Sequence, residues 1–140
     1  MFSRRTLVLN HYNPMPITIL IADDYDDNRE LLKLLLETAN YDVHEAKDGH
    51  ECVVSARLNL PDLIMVDLSM PQLDGWEVFK VLKADATTAH IPCVAVTAHD
   101  DTDCQRALSI GFSAYVAKPF RTDEMLETIA RVVGGEGVQI

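Results

Sequence analysis

Residues 61–75 read PDLIMVDLSMPQLDG, a short apolar run that ends in an aspartate and passes into a loop containing proline and glycine. Residues 63–66 are apolar at every position, without the alternation expected of a strand that has one face in water. This pattern predicts a strand buried on both faces, as in a parallel sheet covered by helices. The Pro and Asp-Gly of the following loop favour a turn before a helix.

Comparable runs lie on either side of this stretch and are separated by segments of helical period. The predicted strands are 17–22, 42–46, 63–67, 93–97 and 114–118, and the predicted helices are 27–39, 49–58, 75–84, 101–110 and 122–133. Strands joined by crossover helices form right-handed βαβ units. The sequence therefore predicts an α/β fold, a (βα)5 doubly wound parallel sheet of five strands.

Two details of the helices are also predicted. In the first helix, Leu31, Leu34 and Leu35 are expected to share the packed face, with charged residues elsewhere. In the last helix, Thr122 is expected to be the N-cap, because two acids follow it.

Composition indicates one globular domain. The chain has 140 residues, of which 48% are hydrophobic and 24% charged, enough for a single ordinary core. We expect the domain to cover 15–133, with a flexible N-terminal tail at 1–14 and a C-terminal tail at 134–140. The N-terminal tail holds two arginines and no acid, unlike the rest of the chain.

Charge and cysteine content exclude several classes of protein. With 12 Lys and Arg against 22 Asp and Glu, the net charge of −10 argues against nucleic-acid binding. The apolar runs are far shorter than a membrane span. The three cysteines, Cys52, Cys93 and Cys104, form no CxxC or zinc-ligand spacing, so reduced thiols in the cytoplasm are expected.

Polar residues mark the carboxyl ends of four of the predicted strands. Asp23 and Asp24 follow the first strand, whereas Asp67, Thr97 and Lys118 end the third, fourth and fifth. In doubly wound sheets ligands bind at this edge. The loop 23–28 has four acids and no glycine, which disfavours a phosphate-bearing cofactor at the first helix and favours a hard divalent cation such as Mg²⁺. An aspartate beside Mg²⁺ can attack a phosphoryl group and form an aspartyl phosphate.

Four motifs give the chain a family resemblance. They are ILIADD at 19–24 followed by Asn28-Arg29, DLSMPQLDG at 67–75, VAVTA at 94–98 and YVAKP at 115–119. Asp67 and Thr97 are 30 positions apart, and Thr97 and Lys118 are 21 apart. Over about 17–133 the sequence resembles the receiver domain of two-component response regulators, which implies a flavodoxin-like sheet in the order 2-1-3-4-5.

The resemblance also implies roles for individual residues. Asp67 would be the phosphoacceptor, Asp24 and Asp67 would ligate Mg²⁺ through carboxylates, and Asp23 would hold metal-bound water. The backbone carbonyl of Ser69 would be a further ligand. Lys118 would pair with the phosphoryl oxygens.

The switch and access positions are inferred in the same way. Thr97 would donate its hydroxyl to the phosphoryl group, and Ala98 would leave space for that group to enter. Tyr115 matches the aromatic position whose rotamer reports activation. Ser69 and His99 occupy positions that tune the lifetime of the phosphoryl group, and the bond before Pro119 is expected to be cis.

The implied function is a stand-alone signalling switch and not an enzyme with turnover. A sensor histidine kinase or histidine phosphotransfer protein would supply the phosphoryl group, and slow self-dephosphorylation would end the signal. Output would pass to a downstream protein through the face formed by the fourth helix, fifth strand and fifth helix, or through a homodimer.

Two other functions stay open. A pseudo-receiver that binds partners without phosphorylation would usually lose Asp24, Asp67 or Lys118, and all three are present. A phosphatase of the haloacid dehalogenase type also uses an aspartate nucleophile with Mg²⁺, but it carries Asp-x-Asp, and here Ser69 takes the second position. These residues also have an interpretation without chemistry, in which Asp23 and Asp24 would cap the first helix and Lys118 would be a surface lysine.

Overall fold

Five strands and five helices alternate along the part of the chain that the structure describes. The computed structural model describes residues 16–98 and 101–134. The strands are β1 (Thr18–Ala22), β2 (Asp42–Ala46), β3 (Leu63–Asp67), β4 (Cys93–Thr97) and β5 (Ala114–Ala117). The helices are α1 (Asp26–Thr38), α2 (Gly49–Asn59), α3 (Gly75–Ala84), α4 (Asp101–Ile110) and α5 (Thr122–Val133).

The strands form one parallel sheet in the order β2-β1-β3-β4-β5. This confirms the predicted fold class and strand order. Every residue of β3 and of β4 is buried, as expected for central strands covered on both faces. In register, Asp67 is beside Val96 and Thr97 is beside Ala117, so the ends of β3, β4 and β5 lie together.

Two apolar clusters cover the two faces of the sheet. The α1/α5 layer packs Leu32, Leu36, Met125, Ile129 and Val132 against inward residues of the sheet such as Met65 and Val94. The α2/α3/α4 layer packs Cys52, Val78, Phe79, Leu82 and Ala107 against the opposite face. Complete burial of a Leu or Ile side chain stabilises the fold by about 1.5–3 kcal/mol, so both layers are needed.

The packed face of α1 differs from the predicted one. Leu32 and Leu36 are buried, whereas Leu31 is 47% and Leu34 is 62% exposed, and Leu35 is half-buried. The prediction of Leu31 and Leu34 was wrong because the run of leucines offers two apolar faces, and sequence period alone does not choose between them.

The start of α5 also differs. Arg121 is the N-cap and makes no side-chain capping bond, and Thr122 is the first residue inside the helix. By contrast, α3 has a complete capping box, in which Asp74 accepts from the Glu77 backbone and Glu77 accepts from the Asp74 backbone.

A glycine makes the close contact between α3 and the end of β3 possible. A Cβ at Gly75 would lie 2.5 Å from the carbonyl oxygen of Asp67 and 2.8 Å from Leu68 Cα. Gly75 therefore lets the helix start directly against the backbone of the strand that carries Asp67.

None of the five described helices has the length and apolar character that a membrane span requires.

Candidate functional site

Three carboxylates and one ammonium meet at the carboxyl edge of the sheet. Asp23 and Asp24 follow β1, Asp67 ends β3 and Lys118 follows β5, and the parallel strands bring these ends together. Lys118 Nζ donates to Asp67 Oδ2 at 2.7 Å and lies 3.4 Å from Asp23 Oδ2. The reading of Lys118 as a surface lysine is therefore wrong, since its ammonium is held between two buried carboxylates.

Asp23 is 1% exposed. Its Oδ1 accepts the backbone N–H of Tyr25 at 2.8 Å. Its Oδ2 is buried and accepts no hydrogen bond within the described part of the chain, because the Lys118 contact is an ion pair outside hydrogen-bond geometry. Burial raises the pKa of Asp23 above its usual 3.8, outweighing the Tyr25 N–H and the Lys118 charge, which lower it.

The acids do not cap α1. The N-cap is Tyr25, which makes no side-chain capping bond. The second acid, Asp24, is half-buried and lies beside Asp23 and Asp67, outside the helix.

Lys118 carries the positive charge of this site. Burial lowers its pKa, but the hydrogen bond and charge of Asp67, with a smaller effect of Asp23, outweigh burial and hold the pKa above its usual 10.5. The side chain therefore stays an ammonium at neutral pH. The peptide bond between Lys118 and Pro119 is cis, as the resemblance implied.

The three carboxylates fit a hard divalent cation. One oxygen each from Asp23, Asp24 and Asp67 can be chosen so that all lie within 4.8 Å of one another. Their charges exceed what one ammonium neutralises, and the buried Asp23 Oδ2 accepts no hydrogen bond from the described residues, although it forms an ion pair with Lys118. An all-oxygen donor set with these charges suits Mg²⁺.

The backbone after β3 holds Asp67 in place. The Ser69 N–H donates to Asp67 Oδ1 at 2.9 Å, so each oxygen of this carboxylate accepts one hydrogen bond. The role predicted for the Ser69 carbonyl as a metal ligand stays a prediction. The N–H contact was not foreseen, although an Asp two residues before a loop N–H commonly makes this turn.

The residues predicted to act in switching and in phosphoryl access differ in their positions. Thr97 ends β4 and is 1% exposed, Ala98 is exposed, and His99 lies outside the described residues. Tyr115 is half-buried on β5 and packs against the α2/α3/α4 layer.

One contact at Thr97 was missed by the sequence analysis. Thr97 Oγ1 lies 3.9 Å from Cys104 Sγ, within hydrogen-bonding range for sulfur, and either group can donate. No sequence signal marks this pair, because it depends on the rotation of α4 about its own axis.

The arrangement supports nucleophilic chemistry at one carboxylate. Asp67 is fixed by the Ser69 N–H and by Lys118, and it is flanked by two further acids that can share a cation. A carboxylate can attack a phosphoryl group, and cations beside it offset the developing charge.

Comparison with known proteins points to one family. The family described as the response regulator receiver domain matches residues 19–130. The polar-differentiation response regulator DivK of Brucella anthropi is 36% identical over 121 residues, covering 86% of this chain and 98% of that protein.

Two solved structures show the same architecture. The chemotaxis protein CheY4 of Vibrio cholerae superposes with a TM-score of 0.79 at 27% identity, covering 84% of this chain and 99% of that chain. The receiver domain of sensor histidine kinase PA1611 from Pseudomonas aeruginosa PAO1 was solved with a magnesium ion coordinated in its active site cleft. It has a TM-score of 0.79 at 28% identity, covering 86% of this chain and 99% of that chain.

Proposed function

Because this chain belongs to the response regulator receiver domain family, we propose that it is a signalling switch phosphorylated on Asp67. The phosphoryl group comes from a phosphohistidine on a sensor histidine kinase or a histidine phosphotransfer protein. The observation that carries the proposal is the 2.7 Å contact between Lys118 Nζ and Asp67 Oδ2, beside Asp23 and Asp24.

In the proposed reaction, a carboxylate oxygen of Asp67 attacks phosphorus and forms a P–O bond. The P–N bond to the donor imidazole breaks, and the ring nitrogen leaves with the electron pair and takes up a proton. Lys118 holds its ammonium against the phosphoryl oxygens as they approach Asp67. Water later cleaves the acyl phosphate, which regenerates Asp67 and inorganic phosphate.

Asp24 and Asp67 would hold Mg²⁺ through their carboxylates, Asp23 through a bound water, and Ser69 through its backbone carbonyl. When bound, Mg²⁺ supplies positive charge that neutralises the carboxylates and the transferring phosphoryl oxygens. This assignment is supported by the buried Asp23 Oδ2, which accepts no hydrogen bond from the described residues.

We assign the response to phosphorylation to Thr97 and Tyr115. A phosphoryl group on Asp67 brings a charge of roughly −2 and strong acceptor oxygens, which attract the Thr97 hydroxyl. Ala98 has the small side chain that such access requires, and we keep His99 as a position that affects phosphoryl lifetime.

Output is proposed through the face formed by α4, β5 and α5. A groove of about 800 Å³ runs along β5 and α5, and Tyr115, Lys118, Arg121, Met125 and Arg131 are among its lining residues. Because Tyr115 lines this groove, a change of its rotamer would alter the surface offered to a downstream protein or to a second copy of the chain. We place this signalling in the cytoplasm.

Incubation with acetyl phosphate, with and without Mg²⁺, followed by intact-mass measurement tests the proposal. The parent should gain one labile phosphoryl group only with Mg²⁺, and Asp67→Asn should gain none, because an amide is no nucleophile. Asp74→Asn is the matched control, since asparagine also caps α3.

The alternatives give different results in this assay. Release of many equivalents of phosphate while no phosphorylated mass accumulates indicates a phosphatase. Absence of label in a folded, Mg²⁺-supplied parent indicates a pseudo-receiver, and label retained by Asp67→Asn places the phosphoacceptor elsewhere.

A further inference from the structure

The backbone of Thr97 is held at the end of β4 by its pairing with β5. It lies in register with Ala117 in the sheet, and its carbonyl accepts the Lys118 N–H at 2.8 Å. The side chain is 1% exposed, and a β-branched residue has few staggered positions about χ1. A response of Thr97 to a phosphoryl group is therefore a rotation of its side chain and not a movement of its backbone.

One of those positions places the Thr97 hydroxyl against α4. Oγ1 lies 3.9 Å from the Sγ of Cys104, which is itself 5% exposed. One turn later Ala107 is completely buried in the α2/α3/α4 layer, so the helix is anchored beside the thiol. The thiol thus meets the hydroxyl from a fixed helix.

We propose that Cys104 is a positioning residue for the switch, whose thiol retains the Thr97 hydroxyl in the unphosphorylated state. This inference rests on the proposed function of Asp67. Sulfur is a weak hydrogen-bond partner, whereas phosphoryl oxygens are strong acceptors. After phosphorylation the Thr97 hydroxyl therefore donates to the phosphoryl group and no longer contacts Cys104. The resting contact adds to the phosphoryl binding energy needed for the exchange.

The exchange also links Asp67 to α4. When the Thr97 hydroxyl turns away, Cys104 loses its contact with the end of β4. Arg106, two residues further along α4, lies over the ring of Trp76 at 4.2 Å from the ring centroid. Trp76 is the single tryptophan of the chain, so its fluorescence reports a movement of α4 relative to α3.

The test is a titration with beryllofluoride, a phosphoryl mimic, in the presence of Mg²⁺, followed by Trp76 fluorescence. Cys104→Ala and Cys104→Val remove the resting contact and should each bind beryllofluoride about threefold more tightly than the parent. Cys104→Ser retains a hydrogen-bonding group and should bind no more tightly than the parent. Cys52→Ala, an equally buried thiol on α2, is the control and should match the parent.

A double-mutant cycle separates positioning from packing. In a Thr97→Ala background, Cys104→Ala should no longer change the affinity, because the hydroxyl that it releases is absent. An equal gain in both backgrounds, or parent-like affinity of Cys104→Ala and Cys104→Val, overturns the role of Cys104.

Failure of the proposed function gives a different result. In that case the parent itself does not bind beryllofluoride, and no comparison among cysteine variants arises. If Cys104→Ala unfolds, Cys104→Val retains more of the side-chain volume and decides the outcome.

Discussion

Asp24 is more exposed than Asp23 and Asp67, the two carboxylates beside it. The charge of Asp24 is repelled by both neighbours, whereas Lys118, the only ammonium described at the site, pairs with Asp67 and Asp23. Removing this charge relieves repulsion without leaving a buried cation unpaired.

We therefore expect Asp24→Asn to raise the free energy of unfolding in EDTA, by less than about 1 kcal/mol because solvent screens this half-buried residue. The same change should abolish the rise in melting temperature that Mg²⁺ produces in the parent. Thermal unfolding in EDTA and in Mg²⁺ measures both effects, with Asp27→Asn as an exposed control on α1. A full Mg²⁺ response in Asp24→Asn would place the metal elsewhere.

The buried thiols of Cys52 and Cys93 provide a second test of single residues. Burial raises the pKa of Cys52 to about 12 and that of Cys93 to about 11. At pH 8 the thiolate fraction of Cys52 is then on the order of 10⁻⁴, and the side chain is also out of reach of reagents.

Cys52 should consequently resist an aromatic disulfide reagent in the native protein and react within minutes once urea unfolds the chain. Peptide mapping after timed quenching identifies the labelled residue. Rapid native labelling of Cys52 would mean that α2 opens far more often than its packing indicates.

At the scale of elements, apolar runs located all five strands within one residue at each end. The central strands β3 and β4 are marked by their own composition, because every residue in them is buried, whereas β2 is partly exposed and mixed in composition. The orientation of α1 was not predictable in this way, since Leu31 and Leu32 are equally apolar and only the neighbouring sheet decides which is buried. The predicted N-cap of α5 was wrong by one position, since Arg121 is the N-cap and Thr122 is the first residue of the helix.

The candidate site likewise combines features that the sequence predicts with one that it does not. Residues at strand ends, such as Asp67 and Lys118, could be grouped from sequence because parallel strands end at one edge. The contact of Thr97 with Cys104 could not, because it joins a strand to a helix whose rotation is fixed by distant packing.

A charged pair connects α2 to the end of α3. Arg57 Nε donates to Asp85 Oδ2 at 2.9 Å, and Asp85 Oδ1 accepts from the Thr87 backbone and hydroxyl. The Thr87 N–H, then its hydroxyl, then Arg57 lower the pKa of Asp85 below its usual 3.8.

A depressed pKa in the folded state means that Asp85 stabilises the protein above the unfolded value of about 3.8 and that this contribution disappears as pH falls through the lower folded value. Asp85→Ala should therefore melt at a lower temperature than the parent at pH 7, and the difference should shrink towards pH 3. Melting curves across this range test the sign. A difference that stays constant with pH would assign the loss to packing instead of charge.

At the scale of the whole molecule, the described core begins with β1, which lies between β2 and β3 in the sheet. Residues 1–14 precede this strand, and the family match begins at residue 19. We predict that a chain starting at Met15 accepts phosphate from acetyl phosphate at the rate of the full chain.

The matched control is a chain starting at Asp23, which lacks β1 and should fail to fold because an internal strand of the sheet is missing. Circular dichroism and intact mass measure folding and phosphate incorporation in each case. A clear loss of rate in the shorter deletion would show that residues 1–14 contribute to the reaction.

In the described part of the chain the two apolar layers form separate clusters on opposite faces of the sheet, and this separation bears on how such a protein can diverge. Substitutions on the solvent side of α5 leave the packing around Phe79 and Ala107 unchanged, because these residues belong to the layer on the other face, and Ala107 lies one turn from Cys104 on α4. Substitutions can therefore change the partner surface along α5 during evolution while the contact between β4 and α4 is kept. Paralogues in one cell could in this way acquire separate partners while keeping the same chemistry at Asp67.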